Sequence, residues 1–270
     1  MITSVSHWSI DPYVLQLTDT IGIRYYSLLF GLGIFLSGHL LTKVLERHKQ
    51  FRSIPIETIS IYLIAGIVIG ARLGHCLFYD PVYFLDHPIE MFLPIQQQPD
   101  DSCVFTGFLG LASHGAILGM LISLSILSFR KSISFITLLD VVALVAPMAG
   151  CFIRIGNFFN SEIIGIPTER SWGVVFTAVD NLPRHPSQLY EAIAYLIICL
   201  VIHRRRNNFL AYKGKIFGWV VTLVFIARFL IEFTKIDQVS WEAGLYFNMG
   251  QILSLPFILI GMIFIIYSRK

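Results

Sequence analysis

Charge is what this chain lacks. Only 14% of its 270 residues are Asp, Glu, Lys or Arg, against about 25% in an ordinary soluble domain. Cysteine is sparse too: Cys76, Cys103, Cys151 and Cys199 lie far apart, which excludes a disulfide scaffold, and none has zinc-ligand spacing. No glycine period marks a collagen, and no glycine-rich phosphate loop or dinucleotide pattern is present. A net charge of +3 gives no basic face for nucleic acid. The chain is also too apolar to be disordered. What it does have is 55% hydrophobic residues and a mean hydropathy of +0.71. Those values describe a polytopic membrane protein whose solvent is mostly lipid.

A bilayer core of about 30 Å takes roughly 20 apolar residues per helix. Seven runs qualify or come close: Gly22–Leu41, Thr58–Tyr79, Phe105–Phe129, Ile133–Ile153, Ser187–Ile202, Ile216–Phe233 and Leu245–Tyr267. They are continuous, not alternating, so helices are expected in place of a barrel. No fixed-period repeat points to a duplicated transporter. Residues before Ile21 include Asp11 and Asp19 but no Lys or Arg, the wrong charge for a cleaved signal. The expected architecture is all-α: a single integral membrane domain over residues 1–270, with seven transmembrane helices. A small extracytoplasmic head at residues 155–185 sits between helices 4 and 5.

Basic residues orient it. Lys43, Arg47, Lys49 and Arg52 follow the first run. Arg130 and Lys131 follow the third, Arg204, Arg205, Arg206, Lys213 and Lys215 the fifth, and Arg269 and Lys270 end the chain. These thirteen of the 20 basic residues mark one side as cytoplasmic. The loop from Asp80 to Asp101 holds Asp80, Asp86, Glu90, Asp100 and Asp101 and no cation. The N-terminus is thus expected outside and the C-terminus inside. The remaining cations, Arg24, Arg72, Arg154, Arg170, Arg184, Arg228 and Lys235, lie on the outer side or in outer helix halves. Six are Arg, whose planar fork matches phosphate. Ordinary ion pairing is the alternative, most of all for Arg170 and Lys235.

Arg72, Asp140, Glu191, Arg228 and Glu232 fall at membrane depth. Each costs about 2.5–3.5 kcal/mol at a helix centre, so five unpaired would cost about as much as a whole domain is stable. They must satisfy one another or line a wet cavity. Arg228 and Glu232 share a helix face at i, i+4; the pair is either an internal brace or part of a polar chamber opening outward. His114 interrupts an uncharged run among small residues, Gly110-Leu-Ala-Ser-His114-Gly-Ala-Ile-Leu-Gly119. It is either a packed donor or a base, since neutral imidazole accepts a proton near pH 7.

The densest polar stretch is RIGNFFNSEIIG, Arg154 to Gly165. Arg154 and Asn157 share a face if the helix continues. The strand-like Trp172–Phe176 follows, then RHPSQLYEA from Arg184 to Ala192, where Pro186 suits a helix start. This brings Arg184, Gln188 and Glu191 back to the rim that carries Arg154.

RIGNFFNSEIIG resembles the signature of the bacterial phosphatidylglycerol–prolipoprotein diacylglyceryl transferase family. Further stretches match that family in order: Arg24-Tyr25-Tyr26, Gly70-Ala71-Arg72-Leu73-Gly74, RHPSQLYEA, Arg228 to Phe233 and Met249 to Pro256. Three positions depart from it. Ile153 stands where Gly usually precedes the signature Arg. His114-Gly115-Ala116, preceded by Leu109-Gly110, replaces a glycine-richer His motif. Lys235 takes the place of an Arg. The resemblance implies seven helices with an outside N-terminus in the bacterial inner membrane. It also implies transfer of the diacylglyceryl group of phosphatidylglycerol to the lipobox cysteine of a prolipoprotein. The family's functional positions then fall on His114, Arg154 and Arg228, with Asn157 and Glu162 from the signature and Tyr26 from the first helix.

That chemistry accounts for the residue types. A thiolate attacks a glycerol carbon and glycerol phosphate leaves, so the phosphate charge grows from one toward two. Arg154 and Arg228 would bind the growing charge. His114 would take the thiol proton. Glu162 and Glu232 would orient the arginines. The substrate-binding set is expected to comprise Tyr26, Arg72, Asn157, Glu162, Gly165, Arg184, Gln188, Glu191 and Glu232. No metal or cofactor is expected, since the lipid is the co-substrate, and the protein is expected to act as a monomer. An anionic-lipid transporter, or an inactive lipid-binding relative, would use the same buried arginines.

Overall fold

The computed structural model describes residues 6–16, 22–47, 56–93, 95–97, 103–105, 110–236 and 247–268. The cations Lys49, Arg52, Arg269 and Lys270, the acids Asp19, Asp100 and Asp101, Leu109, and the starts of the third and seventh runs (106–109 and 245–246) lie outside the described residues. The chain divides into two compact units, Met1–Val44 with Leu139–Lys270, and Leu45–Leu138.

The Leu45–Leu138 unit is built on two long helices, α2 (Ile56–Phe78) and α5 (Ser113–Lys131). Between them run short helices α3 (Pro81–Asp86) and α4 (Pro88–Phe92) and a hairpin of β4 (Ile95–Gln97) and β5 (Cys103–Phe105). Helices α2 and α5 are antiparallel and meet along glycines. A Cβ added at Gly70 would sit 2.7 Å from Gly119 Cα, and one at Gly74 2.7 Å from Gly115 Cα. Lipid offers no hydrophobic drive to bring helices together, so backbone-to-backbone packing over small residues does it. The expected helix over Phe105–Phe129 begins instead at Ser113. Phe105 pairs in the hairpin, and Gly110 takes a φ of +78°, outside helical geometry.

The larger unit starts with β1 (Ser6–Trp8), β2 (Tyr13–Gln16) and β3 (Gly22–Arg24), then α1 (Tyr25–Arg47). It resumes with α6 (Phe135–Ala143), α7 (Ala146–Phe159), β6 (Val174–Phe176), β7 (Pro183–Arg184), α8 (Ser187–Leu210), α9 (Lys215–Glu232) and α10 (Met249–Tyr267). The expected single helix over Ile133–Ile153 is broken into α6 and α7, which meet at 44°. Pro147 removes an N–H, and its ring would clash with the carbonyl four residues back, at Ala143, where α6 ends. Helix α8 runs eight residues past the expected Ile202, through Arg204–Arg206, because arginine is a good helix former whose head reaches water from a long stem.

The strand-like Trp172–Phe176 is β6, the centre of a three-stranded sheet in the order β1-β6-β7. The N-terminal strand pairs with it in parallel, Trp8 opposite Phe176. Phe158, Val174 and Phe176 form a small core, against which Trp8, Ile164 and Leu189 pack. Trp8 lies 4.4 Å from the Phe158 ring. The chain's beginning and the segment after α7 are thereby one structure.

Helices α9 and α10 form an antiparallel pair, with Phe225 stacked on Phe257 at 4.3 Å. Asn248 and Gln251 cap the start of α10 reciprocally. The sequence grouped Asp140 with the other membrane-depth charges, but it does not join them. It caps α9, accepting from Gly214 N at 2.6 Å and Phe217 N at 2.8 Å, so helix-end amides satisfy it where a cation was expected.

Among the described residues, five helices are long and apolar enough to cross a membrane: α1, α2, α5, α8 and α10. The bent α6–α7 pair would make a sixth. The 18-residue α9 carries Lys215, Arg228 and Glu232 and does not meet that test. The chain is a polytopic helical membrane protein.

Gly115→Val should force α2 and α5 apart. Overpacking of this kind costs about 1–3 kcal/mol, read as a lower unfolding temperature in detergent. An unchanged temperature would contradict the close glycine packing.

Candidate functional site

The site forms where α7, α8 and α9 end or begin beside the β1-β6-β7 sheet, and its backbone is tied before any side chain is counted. Gly165 N donates to His185 O at 3.0 Å, Ile166 N to Thr234 O at 2.9 Å, and Ser187 Oγ to Thr234 O at 3.1 Å. Gly165 also bridges to Lys235. A Cβ on Gly165 would lie 2.6 Å from Thr234 O, so only glycine fits where three stretches of chain cross. Before it, Ser161 and Ile163 take positive φ of 55° and 56°. For a β-branched residue this is strained by about 1–3 kcal/mol. The turn brings Glu162 back beside the end of α7.

On this frame sits a buried ionic chain. Arg154 Nε lies 2.8 Å from Glu191 Oε2. Glu191 Oε1 accepts from Lys235 Nζ at 3.0 Å, and Lys235 Nζ also donates to Glu232 Oε2 at 2.9 Å. Glu191 is 0% exposed, Glu232 3% and Lys235 4%. Two carboxylates and two cations therefore alternate and balance. A second branch leaves Arg154: its Nη1 donates to Asn157 Oδ1 at 3.2 Å, and Asn157 Nδ2 donates to Glu162 Oε1 at 2.8 Å. Asn160 adds a 3.2 Å bond to the same oxygen, and Gln188 Nε2 donates to Glu162 O at 2.7 Å. Tyr26, at the start of α1, faces Gly156, where an added Cβ would meet its ring at 2.8 Å.

Arg228 differs from its neighbours. It is half-buried on α9 and has no hydrogen bond or ion pair among the described residues. Its helix, α9, packs against α8, which carries the Arg154 partner Glu191.

The structure thus brings together Tyr26, Arg154, Asn157, Glu162, Gly165, Gln188, Glu191, Arg228 and Glu232. The expected Arg228–Glu232 brace does not form: Glu232 takes Lys235, three residues on, and Arg228 is left free for another anion. Arg184 is occupied. It forms an ion pair with Asp180 and donates Nη1 to Gly165 O at 3.2 Å, holding the head. Arg170 lies over the Trp172 ring at 5.9 Å, and Arg24 donates to Tyr13 Oη at 2.7 Å.

Arg72 and His114 belong to the Leu45–Leu138 unit. Arg72 donates to the carbonyls of Glu90 and Met91 and lies 4.9 Å from the Phe84 ring centre. His114 is exposed in the first turn of α5, stacked on Tyr79 at 5.7 Å with Phe78 edge-on. Sequence reasoning left Lys235 out of the site. It was within reach of helical spacing, since Lys235 follows Glu232 by three residues.

A basic fork left free beside a balanced buried network suits one external anion. Comparisons with known proteins agree on a class. Residues 12–267 match the family model described as prolipoprotein diacylglyceryl transferase. A phosphatidylglycerol–prolipoprotein diacylglyceryl transferase of Bacteroides fragilis is 44% identical over 266 residues, covering 98% of this chain and 95% of that protein. Proteins of the same name from Chloroherpeton thalassium and Tolumonas auensis are 41% and 40% identical, over 99% and 97% of this chain and 96% and 97% of theirs.

Two outcomes follow from this geometry. Lys235→Met leaves the buried Glu232 without its cation and takes one of the two cations from Glu191, and should destabilise by about 3–5 kcal/mol, whereas Lys235→Arg should retain most stability in thermal unfolding. In the head, Arg184 holds the Asp180 carboxyl below its usual range. A depressed acid stabilises the folded form above its ordinary value of about 3.9 and loses that contribution as pH falls through the lower folded value. Amide exchange around β7 should therefore accelerate only at pH below about 3.9, and Asp180→Asn should abolish that pH dependence.

Proposed function

The chain belongs to the prolipoprotein diacylglyceryl transferase family, and from that premise we propose that it moves the diacylglyceryl group of phosphatidylglycerol onto the lipobox cysteine of prolipoproteins. The observation that carries this reading is the pair of arginines, Arg154 fixed by Glu191 and Asn157, and Arg228 unpaired beside it. A phosphodiester carries one negative charge. As its carbon–oxygen bond breaks, that charge approaches two, and groups that hold the larger charge better lower the barrier.

The steps balance without a cofactor. The cysteine S–H gives its proton to His114, and the thiolate attacks the glycerol carbon. A carbon–sulfur bond forms, the carbon–oxygen bond breaks, and glycerol phosphate departs with the electron pair. Asn157 relays between Arg154 and Glu162, so its amide and the Glu162 carboxylate orient the Arg154 fork. Glu191, Glu232 and Lys235 keep the surroundings neutral, which leaves the positive potential at Arg228 for the incoming lipid. Tyr26, Gln188 and Gly165 shape the same hollow, Arg184 braces its rim, and Arg72 is a further lipid-binding residue in the Leu45–Leu138 unit. No metal is required, and the protein works as a monomer.

The topology in this proposal has seven crossings in a single membrane domain, with the head over residues 155–185 outside and the C-terminus inside. Chain parity supports it. β1 pairs with the head, so the chain begins and leaves α7 on one side. Helix α8 starts at the head, and Thr234, two residues past the end of α9, accepts from Ser187 there. Helix α9 must then cross too, its charges being satisfied inside the protein and not by composition. The cations at 204–206, 213 and 215 fall on the far side, which is cytoplasmic by the positive-inside rule.

The test is reconstitution with phosphatidylglycerol and a lipobox peptide, scoring thioether-linked diacylglyceryl peptide and released glycerol phosphate. Arg154→Ala should insert yet give no product. Arg228→Ala should lose about 10²–10³ in kcat with an unchanged unfolding temperature, because it breaks no described ion pair. Wild-type protein that is folded but makes no thioether would favour the transporter or inactive-relative alternative.

A further inference from the structure

Where α2 and α5 meet glycine to glycine, their larger side chains border a groove of about 560 Å³. Ala65, Ile69 and Leu73 line it on α2, and Leu118, Ile122 and Ile126 on α5. Two described lining residues carry hydroxyls. Ser123 donates to Met120 O in its own helix at 2.9 Å, and Tyr62 stands at one end. Ile69 is 56% exposed and Ile122 53%, so no described part of the chain covers the groove. From Tyr62 to Phe78 it runs about 24 Å along α2, most of a hydrocarbon core roughly 30 Å thick.

The Tyr62 end carries a cation that helical periodicity puts on the groove itself. Leu118, Ile122, Ile126 and Arg130 recur every fourth residue, on one face of α5. Arg130 Nη1 lies 3.5 Å from the Tyr62 hydroxyl oxygen, across the mouth of the groove. The rest of its fork has no partner among the described residues, and no described carboxylate offsets its charge. The positive-inside bias accounts for a cation at this level of the helix. It does not account for one on this face, turned onto α2.

We propose that this groove binds an anionic phospholipid from the leaflet at the Arg130 end, which is cytoplasmic in the topology above: one acyl chain lies along the groove and the phosphate meets Arg130. Charge and chemistry together choose that occupant. An acyl chain asks for no hydrogen bonds, and the walls offer none. A signal-peptide helix would bring its positively charged start to Arg130, where like charges repel. A zwitterionic lipid would bring an ammonium to the same guanidinium. A net negative head is attracted without that penalty, as at other basic pockets between membrane helices. The inference rests on the membrane fold and is independent of the transfer reaction.

Native mass spectrometry of the full chain in detergent, titrated with phosphatidylglycerol or phosphatidylcholine, tests this. Arg130→Gln should weaken the binding of one phosphatidylglycerol about fivefold and leave phosphatidylcholine unchanged. Lys131→Gln removes an equal charge one residue along, off the groove face, and should leave both lipids as in wild type. Ala65→Trp sets a ring into the groove from an exposed position and should remove one bound lipid of either kind. All three substitutions fall at exposed positions, so the variants should fold as wild type does. Undiminished phosphatidylglycerol binding in Arg130→Gln would overturn the proposal, as would an equal loss in Lys131→Gln, which would mean surface charge alone. So would an unchanged lipid count in Ala65→Trp, wild-type protein that holds phosphatidylcholine as tightly, or a protein dimer formed in place of the lipid.

Discussion

Burying a charge in an apolar interior costs several kcal/mol unless an opposite charge and good hydrogen bonds meet it there. Glu191, with no exposed surface, is met on both oxygens, by Arg154 on one side and Lys235 on the other. That arrangement ties α7, α8 and the chain after α9 together at one end. It also fixes Arg154 in place. The rest of the site depends on it: Asn157 and Glu162 extend from Arg154, and Glu232 completes the far end through Lys235. The Lys235 pairing frees Arg228, which would otherwise be the natural partner of Glu232 on its own helix.

The chain Arg154–Glu191–Lys235–Glu232 balances its own charges, so in the proposed reaction Arg228 is the cation left to meet an anion. If every cation were paired, no net attraction would be left for phosphate; if none were, the site could not be buried. The structure divides the labour. Arg154 is anchored and directional, while Arg228 carries its charge unspent. The head adds rigidity: strand β1 from the chain's start, the crossing at Gly165 and the Arg184–Asp180 pair clasp the segment that carries Glu162.

Much of this was legible beforehand, for a physical reason. Membrane helices must be long and apolar, and ionisable residues at depth are rare, so Glu191, Arg228 and Glu232 stood out against their runs, and Arg154 opened the densest polar stretch. Partner choice was not legible. The i, i+4 spacing of Arg228 and Glu232 suggested a brace, but Lys235 lies just past the helix end, where the chain turns back to Gly165 and carries its amine into reach of two carboxylates. Asp140 was likewise expected among the cations and instead caps the start of α9, 74 residues away in sequence. Arg184 and Arg72 looked like phosphate ligands, yet both are engaged with the protein's own oxygens.

Composition and the run lengths of apolar residues determined that this chain lives in a membrane as helices, because lipid leaves a backbone no other way to satisfy its N–H and C=O groups. The ordered motifs named candidate residues, of which Arg154, Glu191 and Glu232 meet in one buried ionic chain. Which cation faces which carboxylate, and which arginine stays free, was decided only by tertiary structure. Coulomb energy in a low dielectric turns on ångström distances between helices, and those are set by packing at Gly150, Gly165 and the α7–α8 face, not by spacing along any one helix.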